Sequence, residues 1–265
     1  MTSAEWTPGA DPLVGVLEGD ADVSDGQLAA LESAVTEGGG DLVSGPIDRL
    51  LARDPSVLVA VGETAVRTAT HAGVTVPVLP VDAGDGIRSV PADRLASAID
   101  AVLAGEGIRR DLPVLEVNVD GEDVKTALFD VSLLTDEPAR ISEYSVRTAE
   151  RGVSCFRADG VVVATPAGSH GYAGAAGGPV LSPELEAVAV VPVGPFVTQT
   201  NHWVLPAGEI HLSVERDHDP IALCVDDEVV TAVDRDSTIV ISADRTLSIL
   251  TTPESSPYFG DPTSC

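Results

Sequence analysis

Lysine is almost missing from this chain: Lys125 is the only one in 265 residues, and every other cation is an arginine. Aromatic residues make up 3% of the sequence, and there is a single methionine. Lysine and arginine together number 15 against 42 acidic residues, a formal net charge of −27. A polyanion of this size repels nucleic acid and anionic lipid, so neither is expected as a partner. It also repels itself in dilute buffer. At molar salt the Debye length falls to about 3 Å and that repulsion is screened. Scarce lysine, scarce aromatics and an excess of acid together describe the surface of a halophilic protein. A disordered acidic chain is the rival reading, and a hydrophobic content of 44% argues against it.

Long hydrophobic runs are also missing. No stretch is apolar enough to span a bilayer, and the opening MTSAEWTPGADP lacks the basic-then-apolar layout of a secretion signal. The expected location is the cytoplasm. Cysteine is limited to Cys155, Cys224 and Cys265, an odd number with no metal-ligand spacing. That excludes a disulfide framework. The expectation is two small core residues and a free thiol in the tail, with no metal-ligating residues. His71, His202, His211 and His218 have no ligand spacing either.

What is present reads as two domains. In the first, residues 13–17 are a short apolar strand, and Ser24 has N-cap chemistry for a helix over 25–37 with Leu28, Leu31 and Val35 on one face. Residues 38–40, all glycine, end it. The β-branched run 57–61 predicts a buried parallel strand, 63–71 the helix after it, 76–81 the next strand and 91–103 another helix. This β-α-β-α order implies an open parallel sheet with helices on both faces. Ligands of such sheets sit beyond the carboxyl ends of the strands, which points to the loops 62–64 and 82–86. The second half is β-rich. It predicts a strand over 114–120, a return over 124–134, and short strands at 142–146, 153–157, 161–164, 187–193, 209–214, 221–225, 238–242 and 246–250. The expected division is 1–107 for an α/β nucleotide-binding domain, 108–252 for a β-rich domain, and 253–265 for a flexible tail.

Residues 159–179, DGVVVATPAGSHGYAGAAGGP, carry the chemistry. Small residues let a ligand approach the main chain and leave N–H groups to cradle it. Asp159 precedes a strand, Thr165-Pro166-Ala167-Gly168 is a turn, and Ser169, His170 and Tyr172 follow. The segment resembles the NAD kinase pattern DG-x-x-x-x-TPTGSTAY-x-x-x-x-GGP residue by residue. Upstream, Ala127-Leu128-Phe129-Asp130 is similar to the family's Ala-Leu-Asn-Glu/Asp, and Val225-Asp226-Asp227 to its Ile-Asp-Gly. The likeness covers most of residues 115–227, whereas the first half matches only in layout.

The resemblance implies an α/β N-terminal domain plus a β-rich C-terminal domain. It implies ATP-dependent phosphorylation of the adenosine ribose 2′-hydroxyl of NAD to give NADP, with Mg²⁺, in a homodimer or homotetramer. The implied partners are therefore a dinucleotide and a nucleotide triphosphate. By position, Asp130 takes the carboxylate that binds ribose hydroxyls, Asp159 sits by the nicotinamide end, and Tyr172 packs near adenine. Ala167, Gly168 and Gly171 line the dinucleotide, and Asp226 lies near it. The family's Asn before the acidic residue is Phe129 here, and its Thr or Ser before Ala-Tyr falls on His170, which either contacts a ligand phosphate or ribose or is a polar replacement without a ligand role.

The largest departure is the catalytic loop Gly-Gly-Asp-Gly-Thr, replaced by Ala60-Val61-Gly62-Glu63-Thr64. Gly62 takes the Asp position; Gly62 and Thr64 remain as the phosphate loop. Glu63 is then either the acid–base group displaced by one residue or simply the first helical residue, favoured by the helix dipole. Two alternatives to a kinase of NAD stay open at this point: a non-catalytic NAD(P)-binding paralogue, and a kinase of the same fold acting on another small acceptor.

Overall fold

The computed structural model describes residues 3–17, 24–135, 141–197, 201–216 and 221–259; for Ser3 and Asp25 only the backbone is described. Cys265 and His218 lie outside these residues. Two compact units emerge. One comprises the described residues of Met1–Leu112 and Leu247–Cys265, the other Pro113–Thr246.

The first unit contains β1 (Ser3–Trp6), β2 (Leu13–Leu17), α1 (Asp25–Glu37), β3 (Asp41–Gly45), α2 (Ile47–Leu51), β4 (Val57–Val61), α3 (Gly62–His71), β5 (Val78–Val81), α4 (Leu95–Leu103) and the start of β6 (Gly107–Val119). The strands β5-β4-β2-β3 form a parallel sheet. β4 is buried at every position, as a doubly covered parallel strand must be. Val57, Val59 and Val61 pack with Leu31, Val35, Ile99 and Val102 of α1 and α4. On the opposite face Gly15 admits Leu58 and Leu50, the latter from α2; a Cβ at Gly15 would lie 2.8 Å from Leu58. Helices therefore cover both faces. Ser24 caps α1 with a capping box closed by Gln27. The helix expected over 91–103 is shorter: a 3₁₀ turn at Ala92–Arg94 precedes α4.

The second unit holds β7 (Glu122–Ala127), β8 (Asp130–Thr135), β9 (Ser142–Thr148), β10 (Gly152–Ala158), β11 (Gly160–Ala164), α5 (Tyr172–Ala175), β12 (Ala187–Val193), β13 (Trp203–Pro206), β14 (Ile210–Arg216), β15 (Ile221–Val225), β16 (Glu228–Val233) and most of β17 (Ile239–Thr251). One sheet runs β13-β12-β11-β8-β15-β16, all antiparallel. The inward residues of that sheet pack with Tyr144, Val146, Ile210, Leu212 and Ile241 of the antiparallel strands β9, β14 and β17. β11 is buried on both sides. Val161 and Val163 enter this core, while Val162 and Ala164 meet Ala173 and Leu181 on the other face.

Several expectations are corrected. The strand expected over 124–134 is two strands, broken at Leu128 and Phe129. The strands expected at 238–242 and 246–250 are one, β17. Its last residues belong to the first unit, where Ile249 pairs parallel with Val78. Residues 253–259 are not a loose tail: Ser256 N–H donates to Ser89 O at 2.9 Å and Arg88 Nε to Ser256 O at 3.3 Å. The unit boundary falls at Leu112/Pro113, beyond the expected 107/108. Cys155 is exposed rather than a core residue, because the alternation of β10 turns Phe156 and Ala158 inward and Cys155 outward; Cys224 is buried as expected. Among the described residues no helix is long and apolar enough to cross a membrane.

Candidate functional site

The break at Leu128 and Phe129 is the centre of the site. β8 and β11 pair antiparallel with Asp130 opposite Ala164, so the chain entering β8 lies beside the chain leaving β11. Thr165 fastens the two. Its N–H donates to Phe129 O at 2.9 Å, its hydroxyl to Leu128 O at 2.6 Å, and its Oγ1 accepts from Gly168 N–H at 3.1 Å. The Thr-Pro turn then runs as a 3₁₀ turn over Ala167–His170 into the short helix α5. Gly168 has to be glycine, because a Cβ there would lie 2.0 Å from Phe129 O. Asp130 and the small-residue loop 165–172, more than thirty residues apart in sequence, are thus one constellation.

From the other side comes the two-residue hairpin between β15 and β16. Val225 pairs with Glu228, leaving Asp226 (φ 47°) and Asp227 (φ 68°) in the left-handed conformation of a type I′ turn. The buried carboxylate of Asp226 accepts from the N–H groups of Leu128 at 2.8 Å, Phe129 at 2.8 Å and Asp130 at 3.1 Å. Asp226 N–H in turn donates to Asp130 O at 3.0 Å.

Asp130 is itself 6% exposed. The Tyr172 phenol is pushed above its ordinary pKa by burial first, then by the charge of Asp130, Cys224 and Asp159. Tyr172, Asp130 and Asp159 therefore share one electrostatic neighbourhood. Asp159 is half-buried, anchored by its main chain to Val193 O and Thr135 N. Gly194, at φ 54°, makes room for it: a Cβ would lie 2.5 Å from Asp159 Oδ2. Ala167 is buried, His170 half-buried and Gly171 exposed. Ser169 is structural, with its hydroxyl donating to Pro166 O and accepting from Leu181 N–H.

The altered loop lies in the first unit. Gly62 turns the chain from β4 into α3 at φ 81°, a conformation that favours glycine. Glu63 occupies the first turn of α3. Its side chain is 43% exposed, 3.9 Å from the Arg67 guanidinium, and near Gly84 of the 82–86 loop, whose built Cβ would sit 3.6 Å from Glu63 Oε2. Thr64 Oγ1 accepts from Arg67 Nη2 at 3.4 Å. A carboxylate, a glycine turn and a hydroxyl thus stand together at the carboxyl end of β4.

The structural roles of Thr165, Gly194 and Ser169, and the inward direction of Asp226, were not legible in the sequence. The Thr-Pro-x-Gly spacing was the one available signal, since a hydroxyl three residues before a glycine suits a tight turn. No group of three or more His, Cys, Asp or Glu converges as a metal site among the described residues.

Comparisons with known proteins agree with this architecture. Residues 128–252 match the family described as ATP-NAD kinase C-terminal domain. A NAD kinase of Methanosarcina barkeri is 28% identical over 205 residues, 76% of this chain and 74% of the relative. A NAD kinase of Methanosarcina acetivorans is 32% identical over 171 residues, 63% of this chain and 62% of the relative. Among solved structures, an Archaeoglobus fulgidus NAD kinase in complex with ATP superposes with TM-score 0.71 at 22% identity, covering 92% of this chain and 94% of that one. Yeast NADH kinase complexed with NADH does so with TM-score 0.74 at 17% identity, covering 92% and 84%. The Asp130 turn, the Thr-Pro loop and the Asp226 hairpin all lie inside the region that matches the ATP-NAD kinase C-terminal domain, and the chain as a whole is similar to NAD kinases.

Proposed function

We propose that this chain transfers the terminal phosphoryl group of ATP to the 2′-hydroxyl of the adenosine ribose of NAD, giving NADP and ADP. The observation that carries the reading is the constellation of Asp130 with the bare loop 165–172, tied together through Thr165. A buried carboxylate accepts vicinal hydroxyl donors well, and the loop leaves its surface without a side chain at the exposed Gly171. Asp130 holds the ribose, Tyr172 packs by the adenine, Asp159 lies toward the nicotinamide end, and Ala167 and His170 complete the lining. Gly62 and Thr64 contact phosphate. Glu63 accepts the 2′-hydroxyl proton as the oxygen–phosphorus bond forms and the bond to the departing ADP oxygen breaks. Catalysis is otherwise positioning and charge neutralisation. Mg²⁺ would supply counter-charge to the phosphates when bound. The protein works in the cytoplasm, as a homodimer or homotetramer, at high salt. The comparisons do not favour the two alternative readings.

The test is NADP formation from NAD and ATP in molar KCl, wild type beside Glu63→Gln. Wild type should turn over, and the variant should lose roughly 10²–10⁴-fold in rate while still binding NAD. Absence of both turnover and NAD binding in salt refutes the proposal, and an unimpaired variant removes Glu63 from it.

A further inference from the structure

Among the described residues, Asp130 and Asp226 are the only buried carboxylates of this acid-rich chain, 6% and 3% exposed. They are neighbours, exchanging main-chain contacts: Asp226 N–H donates to Asp130 O, and Asp130 N–H donates to the Asp226 carboxylate. An isolated carboxylate taken out of water is strongly unfavourable. Three amide donors at 2.8, 2.8 and 3.1 Å offset that, and such charge-assisted bonds are short and directional. The donors belong to three consecutive residues, Leu128, Phe129 and Asp130, at the point where the strand expected over 124–134 is interrupted. No glycine or proline stands there to make the break. The interruption is imposed from outside, by Asp226 on the N–H groups and by Thr165 on the carbonyls of Leu128 and Phe129. The hairpin accepts left-handed residues at both central positions to present the carboxylate there.

We infer that Asp226 is a positioning residue for the acceptor site: its carboxylate, clamped on the amides of Leu128, Phe129 and Asp130, sets the main chain that aims the Asp130 carboxylate at a ribose, and it does not itself contact the dinucleotide. The inference deepens the proposed function and rests on Asp130 being the ribose ligand.

The experiment compares Asp226→Asn, Asp226→Gly and Asp130→Asn with wild type in molar KCl, measuring NAD affinity by calorimetry and amide hydrogen exchange at residues 128–130. Asp226→Gly removes the carboxylate while keeping a residue that adopts the left-handed turn readily, so folding survives even where Asn fails. Both Asp226 variants should weaken NAD at least tenfold and speed exchange at Leu128 and Phe129 at least tenfold. Asp130→Asn should weaken NAD without changing exchange at those two amides. Weakened NAD with unchanged exchange in Asp226→Gly would mean direct ligand contact and overturn the inference. Lowered stability with unchanged NAD affinity of the folded protein would mean a merely structural role and also overturn it. A wild-type chain that binds no NAD refutes the proposed function instead, and the exchange data still decide whether the clamp exists.

Discussion

Substituting Gly168 by alanine tests the constellation at its tightest point. A Cβ there would lie 2.0 Å from Phe129 O, 2.4 Å from Phe129 C and 2.9 Å from Phe129 Cα. All three atoms are main chain, so no rotamer change relieves the overlap, and the two segments must part by about 1 Å. Parting strains the bonds that join them: Thr165 N–H to Phe129 O, the Thr165 hydroxyl to Leu128 O, and Gly168 N–H to Thr165 Oγ1. At about 1 kcal/mol net for each bond, with about 1–3 kcal/mol of overpacking, the loss is roughly 4–6 kcal/mol. For a unit of this size that lowers Tm by roughly 10–20 °C. Gly152→Ala is the matched control in the same unit. Gly152 is exposed and a Cβ there would meet nothing within 4 Å, so the change should stay within about 0.5 kcal/mol. Thermal unfolding of both variants in molar KCl decides the matter. Equal melting temperatures would mean that the two segments are not pressed together as described, and the site built on them falls.

Three further outcomes are expected. Asp227→Gly should raise stability by about 0.5–1 kcal/mol, because φ 68° strains a residue with a Cβ; a lower Tm would show that the Asp227 side chain outweighs the strain. Tyr172, its phenol raised in the folded protein, holds its proton where the unfolded chain releases it, so the stability it contributes is intact below pH 10 and declines as pH rises through the folded value. Phenolate absorbance should show Asp130→Asn moving that titration downward, and no movement would separate Tyr172 from Asp130. With a net charge of −27, Tm should climb with KCl well beyond 0.2 M; a flat salt profile would refute salt adaptation.

How much of this was legible depended on whether the cause was local. The strand Val57–Val61 announces itself by five buried apolar residues, and α1 by Ser24 and Gln27 of its capping box. The loop 165–172 shows in its own small residues. The break before Asp130 could not be read, because the groups that make it lie 36 to 98 residues away along the chain. β13 and β16 escaped for a related reason. They are edge strands whose half-exposed residues, such as Val204 and Val229, give no clean alternation. Cys155 was misplaced because a cysteine's usual burial yields to the alternation of its strand.

Burial also separates the two meaningful carboxylates from an acidic background, and the charge of Asp130 would constrain which part of a dinucleotide it can receive. Of 42 acidic residues, Asp130 and Asp226 alone are buried among those described, and Asp159 acts on the same phenol. A carboxylate disfavours phosphate and suits hydroxyl donors, in keeping with the proposal that Asp130 receives ribose. In the proposed reaction the product would carry its new 2′-phosphate toward that carboxylate. At about 4 Å two unit charges repel by roughly 1–4 kcal/mol over the dielectric range of a protein surface, enough for about fivefold or more in affinity. NADP should therefore bind more weakly than NAD, and Asp130→Asn should narrow the gap by weakening NAD and relieving NADP together. Calorimetry with both dinucleotides on both proteins measures the two ratios. Tighter binding of NADP by wild type, or a ratio unmoved by Asp130→Asn, would place the reacting ribose away from Asp130.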